Sequence, residues 1–346
     1  MYFAILWKTP EISMAEFELV QAKEISYPKN GIIIFDTKYK ELLPTLWWII
    51  KTGIVVKEKQ LQELLTDTKI IWIQNEANGK HLKRTVWIRR YKLVNIFHTD
   101  REIKNKWKEI INLENGLYGI VEQYQNIELY ESVDFEKPGR SMEMWMMPAK
   151  LAHIMVNIWL SYFIHKSKLD IDKICIYDPF VWSGTTGMIA NYLGYDFMGS
   201  DIKTNYAEQN LARWKTTKFS QDKEFSIFTH DIKQKLETPL IKGETKRDFL
   251  VVTEWRLWPI VTKSTSDQDI QKFQERVSEL YKSFLDRIKE IWAVTVFTIP
   301  RYIWQDNGIE SVLKKYATDI GLSMESIPEL YSREGQQVAR KIVIIK

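Results

Sequence analysis

Acidic residues end two short apolar runs in the second half of the chain, and a loop rich in small residues lies between them. The first run, 173–177, leads into Asp178, and a helical stretch at 188–193 follows the loop. The second run ends at Asp201, about 20 residues after Asp178, the spacing that places a carboxylate on a ribose in nucleotide-binding βαβ units. Strand, tight turn and helix in this order predict a site for an adenosyl cofactor.

The loop resembles the first motif of the class I S-adenosylmethionine-dependent methyltransferases. Their amino-methylating branch carries Asp-Pro-Phe-x-Gly-Ser-Gly-Thr, and residues 178–186 agree at every defined position except Trp182. The resemblance implies that the loop contacts the methionine part of the cofactor, that Asp201 binds the ribose hydroxyls and that Asp231 faces the adenine amino group. The implied cofactor-binding residues are Asp178, Pro179, Phe180, Ser183, Gly184, Thr185, Thr186, Asp201 and Asp231. The structural alternatives are a helix-capping role for Asp178 and a solvated turn at Asp231.

A second block, residues 248–259, again places a polar loop after a buried strand. Residues 253–259 read T-E-W-R-L-W-P, which resembles the Thr-Glu-x-x-Leu-Gly-Pro loop of the tRNA guanosine N2-methyltransferase-like subgroup. That subgroup includes RNA methylases and predicted DNA modification methylases. The resemblance implies a catalytic role for Glu254, with Thr253 and Pro259 in the same loop. A purely structural Glu254 is the alternative.

The resemblance implies methyl transfer from S-adenosylmethionine to an exocyclic base amine, with guanosine N2 in tRNA as the favoured target. The lone pair of that amine is conjugated with the ring, so the site must align the nitrogen and accept developing positive charge. Glu254 is expected to hydrogen-bond the amine and steer the departing proton. The alternatives are an amino-methyltransferase acting on DNA adenine or cytosine, and a noncatalytic RNA-binding protein. The resemblance also allows for a small activator subunit.

Four further segments resemble the same subgroup. They are the opening strand and turn at 2–13, the segments at 46–53 and 144–152, and the closing hairpin at 331–342. At 46–53 and 144–152 the relatives carry glycine where this chain carries tryptophan.

Tryptophan and glycine occur equally often in this chain, at 14 residues each. Average usage of about 7% would give roughly 24 glycines. Many of the tryptophans stand at turns or at glycine positions of the subgroup, namely Trp7, Trp47, Trp48, Trp87, Trp145, Trp159, Trp182, Trp255 and Trp258. One cause fits both counts, which is a gene that uses UGA for glycine translated with a code that reads UGA as tryptophan.

Trp182 is expected to obstruct the methionine part of the cofactor. Glycine at this position lets the backbone approach the ligand, whereas an indole adds roughly 150 to 250 Å² of side-chain surface. Trp255 and Trp258 are expected to crowd the pocket for the target base. Stacking of these rings on an extruded base is the functional alternative.

Length and composition fit two domains outside the membrane. The chain has 346 residues, 45% of them hydrophobic, which suffices for two cores. It lacks an apolar run of membrane-spanning length and a signal-peptide pattern, so we expect a cytoplasmic protein. Cys175 is the single cysteine, which excludes internal disulfides, and the five histidines show no metal-ligand spacing. We therefore expect no bound metal.

A mildly basic balance permits nucleic-acid binding. The net charge is +4 and the isoelectric point about 8.7. Basic residues gather around Tyr91, and we take them as candidate phosphate contacts: Lys80, Lys83, Arg84, Arg89, Arg90 and Lys92. A solvated basic face on an ordinary domain is the alternative.

Strand and helix patterns divide the chain into an α+β region at 1–130, a linker at 131–147 with its turn at Pro138-Gly139, and a second domain at 148–346. The first region resembles the RNA-binding part of the subgroup, including a THUMP-like element. Its predicted strands are 31–35, 54–58, 69–73 and 86–90, and its predicted helices are 13–24 and 101–112.

The second domain is predicted as a Rossmann-like α/β methyltransferase fold, a parallel sheet closed by an antiparallel C-terminal hairpin. A helix is expected from 148 to 165. Predicted parallel strands are 173–177, 196–200, 225–229, 249–253 and 294–299, predicted helices are 185–193, 205–213, 267–290 and 308–320, and the hairpin strands are 324–330 and 339–345.

The codons of the gene test the proposed reading of tryptophan. We expect UGA at positions 182, 255 and 258, and UGG at Trp107 and Trp214, which lie in ordinary helical contexts. Sequencing the gene checks this, and UGG at the first three positions overturns the hypothesis.

Overall fold

The computed structural model describes residues 1–6, 10–29, 31–46, 49–65, 70–74, 76–86, 88, 90–95, 108–139, 146–164, 173–236, 248–255, 264–291, 293–303, 308–332 and 335–346. Over these ranges the chain forms two compact units, Met1–Ile127 and Glu128–Lys346. We call them unit 1 and unit 2.

Unit 1 is built on one mixed sheet. Its strands are β1 (Tyr2–Leu6), β2 (Lys23–Lys29), β3 (Ile32–Asp36), β4 (Ile49–Lys57), β5 (Ile70–Ile73), β6 (Arg90–Leu93), β7 (Lys108–Glu114) and β8 (Leu117–Tyr124). Its helices are α1 (Pro10–Phe17), α2 (Glu58–Leu64) and α3 (Glu76–Thr85), with 3₁₀ turns at Glu18–Val20 and Lys40–Thr45. The strand order is β2-β3-β1-β4-β8-β7-β5-β6. β5 pairs in parallel with β6 and β7, and the other neighbours pair antiparallel.

The predicted helix at 101–112 is wrong over its described part, because residues 108–112 belong to strand β7. Glu114, Asn115 and Gly116 all have positive φ, of 74°, 49° and 71°, and they turn the chain into β8. An Asn-Gly pair between apolar runs is a strong hairpin signal. The prediction missed it because it read the charged stretch before β7 as one face of a helix.

Two other boundaries in unit 1 differ from the prediction. The helix expected at 13–24 is too long, since Gln21 has a φ of 45° and turns the chain toward β2. The strand expected at 86–90 begins too early, because α3 continues to Thr85 and β6 starts at Arg90. The likeness of this region to a THUMP-like element stays a prediction.

A buried ion pair crosses the sheet of unit 1. Lys51 on β4 donates to Glu109 on β7 at 2.7 Å, and both side chains are 0% exposed. Gln74 and Tyr124 also donate to the Glu109 carboxylate, at 3.1 and 2.8 Å. Burial lowers the pKa of Lys51, and the nearby Glu109 carboxylate acts in the opposite direction. Through these bonds Glu109 links β7 to β4, to β8 and to the end of β5.

Unit 2 is an α/β domain. Its strands are β9 (Ile174–Asp178), β10 (Asp196–Asp201), β11 (Phe225–Thr229), β12 (Asp248–Glu254), β13 (Thr295–Tyr302), β14 (Met324–Tyr331) and β15 (Val338–Ile345). Its helices are α4 (Ile127–Phe135, beginning at the boundary), α5 (Ala149–Ile164), α6 (Thr185–Tyr192), α7 (Asn205–Trp214), α8 (Asp267–Ile291) and α9 (Ile309–Asp319).

The sheet of unit 2 has the order β11-β10-β9-β12-β13-β15-β14. The first five of these strands pair in parallel, and β15 runs antiparallel to both β13 and β14. This is the Rossmann-like sheet with an antiparallel hairpin that the sequence predicts. Its central strands β9, β12 and β13 are largely apolar and buried, as expected when helices cover both faces of a parallel sheet.

Helices pack on the sheet through apolar side chains. Tyr177, Val251 and Phe297 belong to one hydrophobic cluster with residues of α8 and α9, while α5 contacts β12, β13 and α6. Each strand and helix predicted in this domain is present, with ends shifted by at most a few residues.

The segment predicted as a linker, 131–147, belongs to unit 2. Its first residues form the end of α4, where Ser132 and Val133 are buried. The polar composition of the segment suggested a solvated connection, but one side of this helix packs inward. No helix in the part of the chain that the structure describes is long and apolar enough to cross a membrane.

Candidate active site

Four acidic side chains lie at one edge of the unit 2 sheet. Asp178, Asp201 and Glu254 are the last residues of β9, β10 and β12, and Asp231 lies shortly beyond β11. Because these strands run parallel, their carboxyl ends meet at the same edge. All four residues line one cavity of about 530 Å³. The fold thus brings together acids that are far apart in sequence.

Most of the other predicted site residues line the same cavity. They are Pro179, Phe180, Ser183, Thr185 and Thr186. Gly184 and Thr253 do not line the cavity, although their neighbours in sequence do. Pro259 lies outside the described residues. The sequence missed several lining residues, among them Met147, Ile202, His230 and Leu280. Ile202, which follows Asp201, is 65% exposed. Its apolar side chain could cover the flat ring of a ligand.

Backbone hydrogen bonds fix the cofactor loop against β10. The Val181 N–H donates to the Ser200 carbonyl at 3.0 Å, and the Trp182 N–H donates to Asp201 Oδ2 at 3.1 Å. The Asp201 carboxylate therefore already holds the loop with one oxygen. The geometry joins the loop to the residue expected to bind a ribose.

Trp182 adopts a backbone conformation that suits glycine. Its φ is 37°, in the left-handed region, where a bulky residue is a genuine outlier. Its half-buried ring lines the cavity, with its centroid 5.5 Å from that of Tyr206. Such strain costs of order 1–3 kcal/mol. The backbone at this position therefore agrees with the glycine of the family motif, while the codon hypothesis stays a prediction.

Asp178 is buried beneath the loop. The Thr253 hydroxyl and the Phe180 N–H both donate to its Oδ1, the latter at 3.0 Å. Burial raises the pKa of Asp178 to about 7, hydrogen bonds to Thr253, Thr186 and Phe180 oppose the rise, and the charge of Asp201 adds to it. Gly184 precedes α6 and gives it no side-chain cap. Asp178 therefore organises the loop and joins β9 to β12.

Asp201 and Asp231 also line the cavity. Both are half-buried, and each accepts a nearby backbone N–H, from Lys203 at 3.4 Å and from Lys233 at 3.0 Å. The His230 N–H donates to the Asp201 carbonyl at 2.9 Å, which ties the two strand ends together. A carboxylate oxygen has more than one lone pair, so these residues can accept hydroxyl or amine hydrogens of a ligand in addition to the bonds above.

Lys137 supplies a buried cation behind the loop. Its Nζ donates to Thr185 Oγ1 at 2.6 Å and to Ser183 Oγ at 3.4 Å. Asn210 on α7 also ties the segment to the loop, accepting from the Gly139 N–H at 2.7 Å and donating to the Ser183 carbonyl at 3.0 Å. The sequence gave no signal for these contacts, because Lys137 stands in the segment predicted as a linker. Lys137 thus places a positive charge behind the hydroxyls of Ser183 and Thr185, which line the cavity.

Glu254 is held by two neighbouring strands. Its Oε1 accepts from Arg340 Nε on β15 and, at 3.2 Å, from the Thr298 hydroxyl on β13. The side chains of Glu254 and Arg340 are 4% and 1% exposed. Glu254 lines the cavity, whereas the hydroxyl of Thr253 is directed to Asp178. Their predicted catalytic roles stay predictions, and the structure adds a buried ion pair to the site.

Trp255 also lines the cavity, next to Glu254. Its half-buried ring packs edge-on against Tyr281 on α8, with the centroids 5.9 Å apart. The Trp255 side chain forms part of the cavity wall beside Glu254. That it crowds the pocket for a target base stays a prediction. Trp258 lies outside the described residues.

The predicted phosphate contacts lie on neighbouring elements of unit 1. Lys83 and Arg84 are exposed in the last turn of α3, and Arg90 and Lys92 are exposed on β6, the edge strand beside it. Lys80 is exposed and pairs with Glu76 at 2.8 Å, and Lys92 Nζ lies 4.4 Å from the Trp72 ring. Arg89 lies outside the described residues. We call the exposed basic residues of α3 and β6 the α3–β6 surface.

No protein-family model matches this chain, and no curated protein matches it. Among solved structures, it is similar to the N-terminal domain of human METTL16 in complex with S-adenosylhomocysteine, at 13% identity and a TM-score of 0.39, over 66% of this chain and 85% of that one. It is also similar to the human methyltransferase 10 domain containing protein, at 10% identity and a TM-score of 0.38, over 59% and 86%.

A third similar structure is magnesium protoporphyrin IX methyltransferase from Synechocystis PCC 6803 with bound S-adenosylmethionine, at 14% identity and a TM-score of 0.35, over 63% of this chain and 94% of that one. All three TM-scores and all three identities are low. Among the described residues, no group of three or more His, Cys, Asp or Glu side chains could hold a metal ion.

We expect Asp178→Asn to remove a pH-dependent loss of stability. Because burial raises the pKa of Asp178 from 3.8 to about 7, the folded protein keeps a proton that the unfolded chain releases in this window. The free energy of unfolding therefore falls as pH rises toward the folded pKa. Between about pH 5 and about pH 8 the parent should lose roughly 2 to 3 kcal/mol more than the variant.

Urea unfolding of both proteins at the two pH values measures this difference. Asparagine keeps an acceptor oxygen for Thr253 and Phe180, so it preserves the local hydrogen bonds. Asp222→Asn changes an exposed carboxylate and should follow the parent. Equal pH dependence in the parent and the Asp178→Asn protein contradicts the prediction.

Proposed function

We propose that unit 2 is an S-adenosylmethionine-dependent methyltransferase that modifies an exocyclic base amine, with guanosine N2 in tRNA as the favoured target. The main observation in support is that the loop at 178–186 and the acids Asp201, Asp231 and Glu254 surround one cavity at the carboxyl edge of a parallel sheet. Open α/β sheets bind their ligands at this edge. The order of these groups along the chain is the order of the methyltransferase motifs that the sequence resembles.

The residues of the cavity fit the two ends of the cofactor. Asp201 and Asp231 can accept hydrogen bonds from the ribose hydroxyls and the adenine amine, and Ile202 can cover the adenine ring. Near the other end, Ser183 and Thr185 are polarised by the Lys137 ammonium behind them, which favours a carboxylate. The volume of about 530 Å³ lies in the usual range for small-molecule sites.

When bound, S-adenosylmethionine supplies a methyl group, whose bond to sulfur breaks with the electron pair staying on sulfur while the substrate amine bonds to the carbon and releases one proton. Glu254 lines the cavity at the end of β12 and provides a hydrogen-bond acceptor for that amine. It need not be a strong base, because the amine proton becomes acidic as the methyl group transfers. Its carboxylate favours a nucleophile that carries N–H groups.

Trp182→Gly should increase the affinity for S-adenosylhomocysteine by about tenfold or more, because glycine relieves the positive-φ strain and removes an indole from the cavity wall. Isothermal titration calorimetry on the two full-length proteins measures it. Trp182→Ala is the matched control, since it removes the indole and keeps a Cβ in the strained conformation. It should bind with intermediate affinity.

Absence of binding by all three proteins rejects the methyltransferase proposal. It favours the noncatalytic alternative, in which the tryptophans are genuine and Trp182 and Trp255 fill the cavity wall. If the Trp182→Gly protein binds, labelled cofactor with unmodified tRNA transcripts or mixed-sequence duplex DNA, followed by mass spectrometry of the nucleosides, identifies the target. N2-methylguanosine supports the favoured target, and methylated DNA adenine or cytosine supports the alternative.

Binding of tRNA is part of the proposal, and the α3–β6 surface supports it. Exposed lysine and arginine side chains on one helix and the adjacent edge strand form a compact basic area. Such side chains contact phosphates without reading sequence. A small activator subunit enters the proposal only if the chain alone binds cofactor and transfers no methyl group.

Reversing charge on the α3–β6 surface should weaken tRNA binding and flatten its salt dependence. The test variant is Lys83→Glu/Arg84→Glu/Lys92→Glu, and loss of three phosphate contacts should lower the slope of log K against log salt by roughly 2. A matched control, Lys272→Glu/Arg276→Glu/Lys289→Glu, makes the same charge change on exposed positions of α8. Filter binding across a salt series measures both. Equal slopes for the two variants remove the α3–β6 surface from the proposal.

A further inference from the structure

Arg340 reaches the Glu254 carboxylate from the far side of a strand. It lies on β15, opposite Pro300 of β13 and Tyr331 of β14, whereas Glu254 lies on β12 opposite Thr298 of β13. The guanidinium therefore crosses β13 to meet the Glu254 carboxylate. The C-terminal hairpin thus supplies the ion-pair partner of a residue that lines the proposed active site.

Stability alone gives a weak reason for this buried pair. Removing two charges from water is expensive, and well-packed hydrophobic residues often replace such a pair without loss of stability. Arg340 Nη1 has no hydrogen-bond partner in the part of the chain that the structure describes. A buried donor without a partner calls for an explanation.

The two oxygens of Glu254 are not used equally. Oε1 accepts from Arg340 Nε and from the Thr298 hydroxyl, whereas the contact from Arg340 Nη2 to Oε2 is long, at 3.5 Å. A carboxylate oxygen has two lone-pair sites. Oε2 therefore keeps acceptor capacity on a residue that lines the cavity.

We propose that Arg340 is a positioning residue that holds the Glu254 carboxylate by Oε1 and leaves Oε2 to accept an N–H of the substrate amine. This inference rests on the proposed methyltransferase function. Arg340 acts through Glu254 and makes no contact with the substrate itself. Lysine at 340 would keep the charge and lose the fixed fork of the guanidinium.

The experiment uses the full chain with glycine at position 182 as the parent. Five variants are compared with it: Arg340→Met, Arg340→Lys, Glu254→Gln, Glu254→Gln/Arg340→Met and, as control, Arg287→Met, which breaks an ion pair on α8 away from the cavity. Calorimetry with S-adenosylhomocysteine, thermal unfolding, and methyl transfer to unmodified tRNA transcripts are measured for each.

We expect Arg340→Met to lower kcat roughly 100-fold, with S-adenosylhomocysteine affinity and the KM for S-adenosylmethionine within about threefold of the parent. Arg340→Lys should recover part of the loss. The double variant should be no slower than Glu254→Gln, because Arg340 has nothing to hold once the carboxylate is gone. Arg287→Met should keep the parent kcat.

A second readout is independent of turnover. Guanosine 5′-monophosphate titrated into the S-adenosylhomocysteine-loaded proteins and followed by NMR should bind about tenfold more weakly to Arg340→Met and to Glu254→Gln. If Arg340→Met does not fold, Arg340→Lys and the double variant, which buries no unpaired charge, carry the same comparison.

Three results overturn the inference while leaving the proposed function intact. They are a folded Arg340→Met with parent kcat, losses that multiply in the double variant, and a parallel loss of cofactor affinity and kcat in Arg340→Met. A parent that binds no S-adenosylhomocysteine overturns the proposed function and the role of Arg340 together.

Discussion

Parallel pairing of the strands in unit 2 is the constraint on which the candidate site depends. Because β9, β10, β11 and β12 run in one direction, residues from distant parts of the chain reach the same edge of the sheet. Asp178 and Glu254 become near neighbours through this pairing, and the Thr253 hydroxyl then bonds to Asp178 across the two strands. These strands can lie buried between helices because their sequences are largely apolar. The same parallel pairing therefore produces both the hydrophobic core and the charged cavity at the edge of the sheet.

Burial at this edge sets the electrostatics of the cavity. Asp178 lies in the interior, and the consequent rise of its pKa favours the protonated form beside a second acid, Asp201. Glu254 is equally well covered, yet it lies against the guanidinium of Arg340. Two acids on adjacent strands thus have different surroundings, one with hydroxyl and amide donors and one with a cation. Such differences in environment allow neighbouring carboxylates to take different roles.

Sequence patterns predicted the sheet of unit 2 and its acids well, because central strands such as β9 and β12 are short apolar runs that end at a charged residue. They failed where the decisive contact is remote. Lys137 meets Thr185, and Arg340 meets Glu254, only after the chain has folded, and neither cation has a local signature. In unit 1 the failure was local. The charged residues around Lys108 and Glu109 read as a helix, although Glu109 is buried in a strand by its pairing with Lys51, and tertiary burial overrides such local preference.

The position of β15 in the sheet has a consequence for how the domain assembles. Of the strands that the structure describes it comes latest along the chain, yet it inserts between β13 and β14. Before it arrives, β13 has an open edge and Glu254 has no arginine beside it. Contacts of such large sequence separation form slowly. Pairing of β15 with β13 therefore covers a strand edge and supplies the cation for the buried Glu254 carboxylate in one step of assembly.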